Sequence, residues 1–174
     1  MKNKFTVLGL ALLSLVIVGA GCAKNFGTSS QTPVDNMVKD VSSTEESYLT
    51  YVWKEYGITF NYPKKVFVTS DGFNMLGFSD NPNKGFDLSG ETLLIDGNEK
   101  VEGMIKAYKR YPKYFKSQTT EKIGKYSFAK IEYYSPAAGR YLPHYFLQIN
   151  DNLTLEYTYA GIGDAELILS SLKF

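Results

Sequence analysis

QTTEKIGKYSFAKIEYYSPAAGRYLPHYFLQINDNLTLEYTYA, residues 118–160, contains four stretches of alternating apolar and polar side chains: 118–123, 126–135, 141–149 and 153–160. A period of two sends successive side chains to opposite faces, which is the pattern of a half-buried strand. Gly124-Lys125 separates the first stretch from the second, and Asn150-Asp151-Asn152 the third from the fourth. Gly and Asn tolerate the backbone conformations of tight hairpins, so both segments read as turns. Consecutive strands joined by short turns predict an antiparallel meander.

Upstream, Tyr51-Val52-Trp53 and Gly57-Ile58-Thr59-Phe60-Asn61-Tyr62 read as strands. Pro63 ends the second, because it has no amide hydrogen to give to a ladder. Residues 66–68 and 73–78 are two more, with a turn at Asp71-Gly72. Residues 79–90 are a loop, and Leu93-Leu94-Ile95 form a short strand. A helix begins near Asp96 or Asn98, either of which can cap it. Val101, Met104, Ile105 and Tyr108 then share one buried face at i, i+3, i+4, i+7 spacing, and Pro112 stops the helix. Near the end, Asp164 caps a short helix with Ala165, Ile168, Leu169 and Leu172 on one stripe. The order strands, helix, strands, helix predicts an α+β domain over 48–174, a mainly antiparallel sheet packed by helices. All aromatic residues except Phe5 and Phe26 lie in that range, which therefore holds the core.

Trp53-x-x-Tyr56-Gly57-x-x-Phe60-x-Tyr62-Pro63 and Ile168-Leu169-Ser170-Ser171-Leu172-Lys173-Phe174 are similar to the opening and closing segments of PsbP-like domains. The similarity covers 48–174 in element order and those two segments by residue. Relatives often carry a Trp shortly after the Tyr-Pro pair, where this chain has Lys64-Lys65-Val66-Phe67. The resemblance implies an α/β/α sandwich around an antiparallel sheet and accessory or adaptor work at a membrane surface. It implies no catalytic residues.

The other end of the chain has a different character. Lys2 and Lys4 precede an apolar run that carries no charge from Phe5 to Ala23 and ends in Gly19-Ala20-Gly21-Cys22. This is the order of a signal peptide: positive region, apolar region, small residues. The small residues before Cys22 resemble the lipobox of bacterial lipoproteins, with Gly19 where that motif usually has Leu. The expectation is a signal peptide over 1–21, with Cys22 carrying palmitate-type lipid and becoming the new N-terminus. Residues 23–47 are rich in Ser, Thr, Gly, Asn and acids with no apolar period, so 22–47 reads as a lipidated cysteine and flexible tether. The chain is thus expected at the extracytoplasmic face of a cell membrane, bound through Cys22, with an envelope protein or polyanion as further partner.

Charge and chemistry narrow the function classes. Nineteen Lys and Arg stand against 18 Asp and Glu, and loss of Lys2 and Lys4 leaves 17 against 18. That balance argues against nucleic acid as a partner. Cys22 is the only cysteine and His144 the only histidine. No intrachain disulfide and no multi-histidine site can form, and no Gly-x-Ser-x-Gly turn accompanies His144. His144 reads as an ordinary strand residue between Tyr141 and Phe146. Glu132 and Glu156 alternate with apolar neighbours, as outward-facing strand positions do. The loop Asp80–Asp87 is oxygen-rich but has Pro82 and Lys84 where a calcium loop needs ligands. No cofactor or metal is expected.

One segment rises above this background. Between Lys106 and Lys116 five cations (Lys106, Lys109, Arg110, Lys113 and Lys116) and four aromatics occur without an acid. The cations complement the negative end of a helix dipole, and Glu102 and Lys106 form an i, i+4 pair. The same cluster suits contact with an anionic surface. Tyr133, Tyr134, Tyr141, Tyr145, Tyr157 and Tyr159 fall on neighbouring strands, as core or as a ligand platform. The expected function is a non-enzymatic, lipid-anchored binding or accessory protein of the cell envelope. The alternative is a hydrolase of envelope polymers using Glu132 or Glu156.

Overall fold

A computed structural model describes residues 47–88 and 90–174. The elements are β1 (Tyr48–Trp53), a 3-10 turn (Lys54–Tyr56), β2 (Ile58–Pro63), β3 (Phe67–Ser70), β4 (Met75–Ser79), β5 (Glu91–Asp96), α1 (Val101–Lys109), β6 (Phe115–Ile123), β7 (Tyr126–Ser135), β8 (Arg140–Asn150), β9 (Leu153–Thr158) and α2 (Ala165–Ser170). The strands predicted from alternation are all present. β1 and β2 form a separate hairpin, and the others form one seven-stranded antiparallel sheet in the order β3-β4-β5-β9-β8-β7-β6.

The expected architecture needs correction. Half of the described residues are in strands and 14% in helices, so the chain is mostly antiparallel β rather than an α+β, helix-packed sandwich. The α/β/α layering implied by the PsbP-like resemblance is overturned with it. The reason lies in what covers the sheet. On one face the layer is supplied largely by the β1–β2 hairpin, whose Trp53, Ile58, Phe60 and Tyr62 are buried against Leu76, Phe78, Leu93, Phe128 and Leu155. α2 has only six residues. It completes that layer through Ile168 and Leu169, and the chain after it adds Leu172 and bridges to β2, with Lys173 N–H donating to Thr59 O at 2.9 Å. The opposite face carries α1, through Met104 and Ile105 on Ile131 and Phe146, and part of the loop before β5, where Phe86 lies against Gly77. Helical periodicity locates a helix but does not measure how much sheet it covers.

The caps divide in the same way. Asp164 Oδ1 accepts from Leu167 N at 3.0 Å and caps α2 as predicted. Asp96 and Asn98 do not cap α1. Asp96 accepts from the Asn98 and Glu99 amides in a turn, and α1 starts later, after Lys100, which makes no side-chain cap.

A fixed point of the scaffold is Glu91, a carboxylate with 0% exposure at the start of β5. It accepts from the Tyr157 hydroxyl and from the amides of Ala160 (3.1 Å), Ile162 (2.9 Å) and Gly163 (3.0 Å). Four donors satisfy both oxygens and pin the loop between β9 and α2 to the sheet. Gly163 has no side chain because a Cβ there would run into Glu91 and Ile168. Burial, reinforced by Glu91, holds the Tyr157 phenol well above its ordinary pKa. No helix among the described residues is long and apolar enough to cross a membrane.

Candidate functional site

The face under α1 carries polar side chains where a sheet core is usually apolar. β9 lies between β5 and β8, and its register puts Glu156 opposite Leu94 and Phe146. Alternation along β9 sends Leu155 and Tyr157 into the core under the hairpin and Thr154, Glu156 and Thr158 to the α1 side. On β8 the same parity places Leu142, His144 and Phe146 there. Tyr108, one turn beyond Met104 and Ile105, comes down from α1 onto them.

Four of these side chains form one network. Glu156 Oε1 lies 2.8 Å from His144 Nδ1, and the Tyr108 hydroxyl donates to the same oxygen. Thr158 Oγ1 is 3.0 Å and Tyr108 Oη 3.3 Å from His144 Nδ1. His144 is 8% and Glu156 6% exposed, so both are inside the fold. An ionised carboxylate only accepts, so a neutral His144 that donates its Nδ1–H to Glu156 has Nε2 as an acceptor. Nε2 has no hydrogen-bond partner among the described residues. Among them, no side-chain nitrogen or oxygen sealed from solvent lacks a partner, so Nε2 is not fully sealed from solvent. Burial, then the Glu156 charge, pushes the Tyr108 phenol far above its ordinary pKa, and it remains a neutral donor.

The network forms the floor of a cavity of about 340 Å³. Met75, Leu94 and Leu142 give it apolar walls, Tyr133 and Tyr134 aromatic ones, and His144, Glu156 and Thr158 a polar floor. The Tyr108 ring meets Tyr133 edge-on at 4.8 Å and His144 at 5.0 Å between centroids, which fixes the rings that shape the hollow. Apolar walls around a few convergent polar groups are the usual make-up of a small-ligand site. Hollows of about 500 and 690 Å³ elsewhere have no comparable buried network.

Several expectations change here. Glu156 does not face outward, and His144 is more than a filler of β8. Glu132 and Glu156 do not share a cleft: the register pairs Glu132 with Pro143 but Ile131 with His144, so Glu132 lies on the other face. There it pairs with Lys116. Of the six tyrosines, Tyr145 and Tyr157 are core, Tyr133 and Tyr134 line the cavity, Tyr141 is exposed and Tyr159 is half-buried. In the loop at 80–87, Lys84 forms an ion pair with Asp87 at 2.8 Å. Among the described residues no group of three or more His, Cys, Asp or Glu could hold a metal ion. The basic segment is brought together at the end of α1, with Lys106, Lys109, Arg110, Lys113 and Lys116 all exposed. Cys22, the expected signal peptide and the expected tether up to residue 46 lie outside the described residues.

No protein-family model, curated protein or solved structure matches this chain.

Proposed function

We propose that the chain is a non-enzymatic binding module of the cell envelope, held at the extracytoplasmic face of a membrane by lipid on Cys22. Its site is the cavity under α1. The observation that carries the reading is His144, buried with Nδ1 tied to Glu156 and lining a cavity that also has tyrosine walls. Such a site suits a compact ligand with an apolar face and a hydroxyl or amide N–H, about the size of one sugar unit. The ligand gives its hydrogen to Nε2 while its apolar face lies on Tyr133 or Tyr134.

Two experiments test the two halves. His144 is the only histidine, so its ring resonances report on one site. Titration with methyl glycosides, N-acetylglucosamine derivatives and p-cresol should shift those resonances saturably in the wild-type chain and not in Glu156→Gln. Absence of a saturable shift with every probe removes this ligand class. For the anchor, Cys22→Ala should abolish incorporation of labelled palmitate. Retained label in that variant would overturn the assignment.

A second reading has one observation in its favour: Glu156 at 2.8 Å orients His144 as the partner of a general base does. An envelope-polymer hydrolase would then work through Glu156 and His144, with Glu132 uninvolved. Turnover of a wall polysaccharide that is lost in both His144→Gln and Glu156→Gln would replace the binding reading.

A further inference from the structure

The inner side of α1 contributes Tyr108 to the cavity, and its outer side carries charge. Met104 and Ile105 are buried, and at about 100° per residue Lys106 and Arg110 fall on the opposite side, with Lys109 on the flank between. Arg110 keeps helical backbone angles at the helix end. Two tight turns follow, closed by Tyr111 N–H to Tyr108 O at 3.2 Å and Tyr114 N–H to Tyr111 O at 3.0 Å. They carry the chain through Lys113, with Tyr111 left 59% exposed among the cations.

These cations are not neutralised by neighbours. Ion pairs among the described residues join Lys84 to Asp87, Lys116 to Glu132, Lys130 to Glu121 and His144 to Glu156. The i, i+4 pair expected between Glu102 and Lys106 is not among them. Lys106, Lys109, Arg110 and Lys113 therefore have no carboxylate partner among the described residues. Instead Lys109 lies over the Phe115 ring at 5.5 Å and Lys113 over Tyr114 at 4.5 Å, contacts that steady the stems without cancelling charge. In a chain of nearly balanced charge, this is a local excess.

We propose that this face of α1 docks on an anionic phospholipid surface, with the four cations at the headgroups and Tyr111 at the interface between headgroups and acyl chains. An exposed tyrosine flanked in sequence by exposed cations favours a lipid surface over a soluble polyanion, because only the lipid offers an apolar layer to the ring. The docking does not depend on the cavity having a ligand.

The test uses the full chain with Tyr111→Trp, added to vesicles of phosphatidylcholine alone or mixed with phosphatidylglycerol, both with brominated acyl chains. Trp53 is 3% exposed and serves as the unquenched internal reference. Indole quenching should be greater on the anionic vesicles at low ionic strength and should fade in high salt. Each cation near such a surface is worth about fivefold in partitioning, so Lys109→Gln, Arg110→Gln and Lys113→Gln together should weaken it on the order of a hundredfold. The salt dependence of the unaltered patch tests the proposal independently of how that triple variant folds. Equal quenching on both vesicle types overturns it, as does a chain that ignores anionic vesicles while binding soluble polyphosphate.

Discussion

Glu91 and Glu156 are carboxylates buried in one sheet, and each accepts a tyrosine hydroxyl, from Tyr157 and from Tyr108. They face opposite ways, since Glu91 shares parity with Leu93 and Glu156 lies opposite Leu94. Three backbone amides complete the shell of Glu91. Glu156 is held by side chains alone, and one of them, His144, opens onto a cavity. The difference separates scaffold from site. Backbone donors cannot turn away, so Glu91 fixes a loop; side-chain donors next to a hollow can exchange partners with a ligand.

Removing each carboxylate should break the symmetry between them. Glu91→Ala strands three part-buried amides and the buried Tyr157 phenol, and losses of this kind cost about 3–5 kcal/mol. Chemical denaturation should show that loss, together with increased hydrogen exchange at 160–163. A near-neutral Glu91→Ala would mean that the loop is not held as described. Gly163→Ala should cost less, about 1–3 kcal/mol, because Glu91 and Ile168 must move away from the new methyl. Glu156→Gln should cost about 1 kcal/mol or less, since water from the cavity can replace what is lost, and its main effect should be on ligand binding.

Alkali sharpens the comparison. Both phenols are raised above the ordinary value of 10.0 by burial and then by their carboxylates. The unfolded chain gives up these protons near pH 10 while the folded chain keeps them. Their contribution is therefore complete below that pH and is lost as pH rises above it, by up to about 1.4 kcal/mol per pH unit for each phenol. Tyr157→Phe and Tyr108→Phe should each flatten the alkaline limb of a stability–pH curve. An unchanged limb in either variant means that its phenol is not held protonated by the fold.

The strands of this sheet were legible because period two is written directly in the chain, and Asp164 announced α2 by capping chemistry. The site was not legible, and β9 shows why. Leu155, Glu156 and Tyr157 alternate like a strand with one wet face, but β9 sits between β5 and β8 with both faces covered. Alternation says that two faces differ, without saying that the polar one meets solvent. Glu132, one strand in from the sheet edge, did behave as alternation suggests and pairs with Lys116. Tyr108 was read as part of the apolar stripe of α1, which it is; that its hydroxyl reaches Glu156 depends on pairing 48 residues away in sequence. Glu91 gave no local signal, since its donors come from a loop some 70 positions on. The layer supplied by β1 and β2 was hidden for a related reason: Trp53, Ile58 and Phe60 announce burial but not against what.

The central claim is that Glu156 holds His144 with Nε2 presented to the cavity. Long-range nitrogen–proton correlation spectra of the single histidine in the ¹⁵N-labelled chain test it directly. The predicted spectrum shows a protonated Nδ1 and an unprotonated, pyridine-like Nε2 at neutral pH, with that preference lost in Glu156→Gln. A ring protonated at Nε2, or one averaging freely between tautomers in the wild-type chain, would contradict the account.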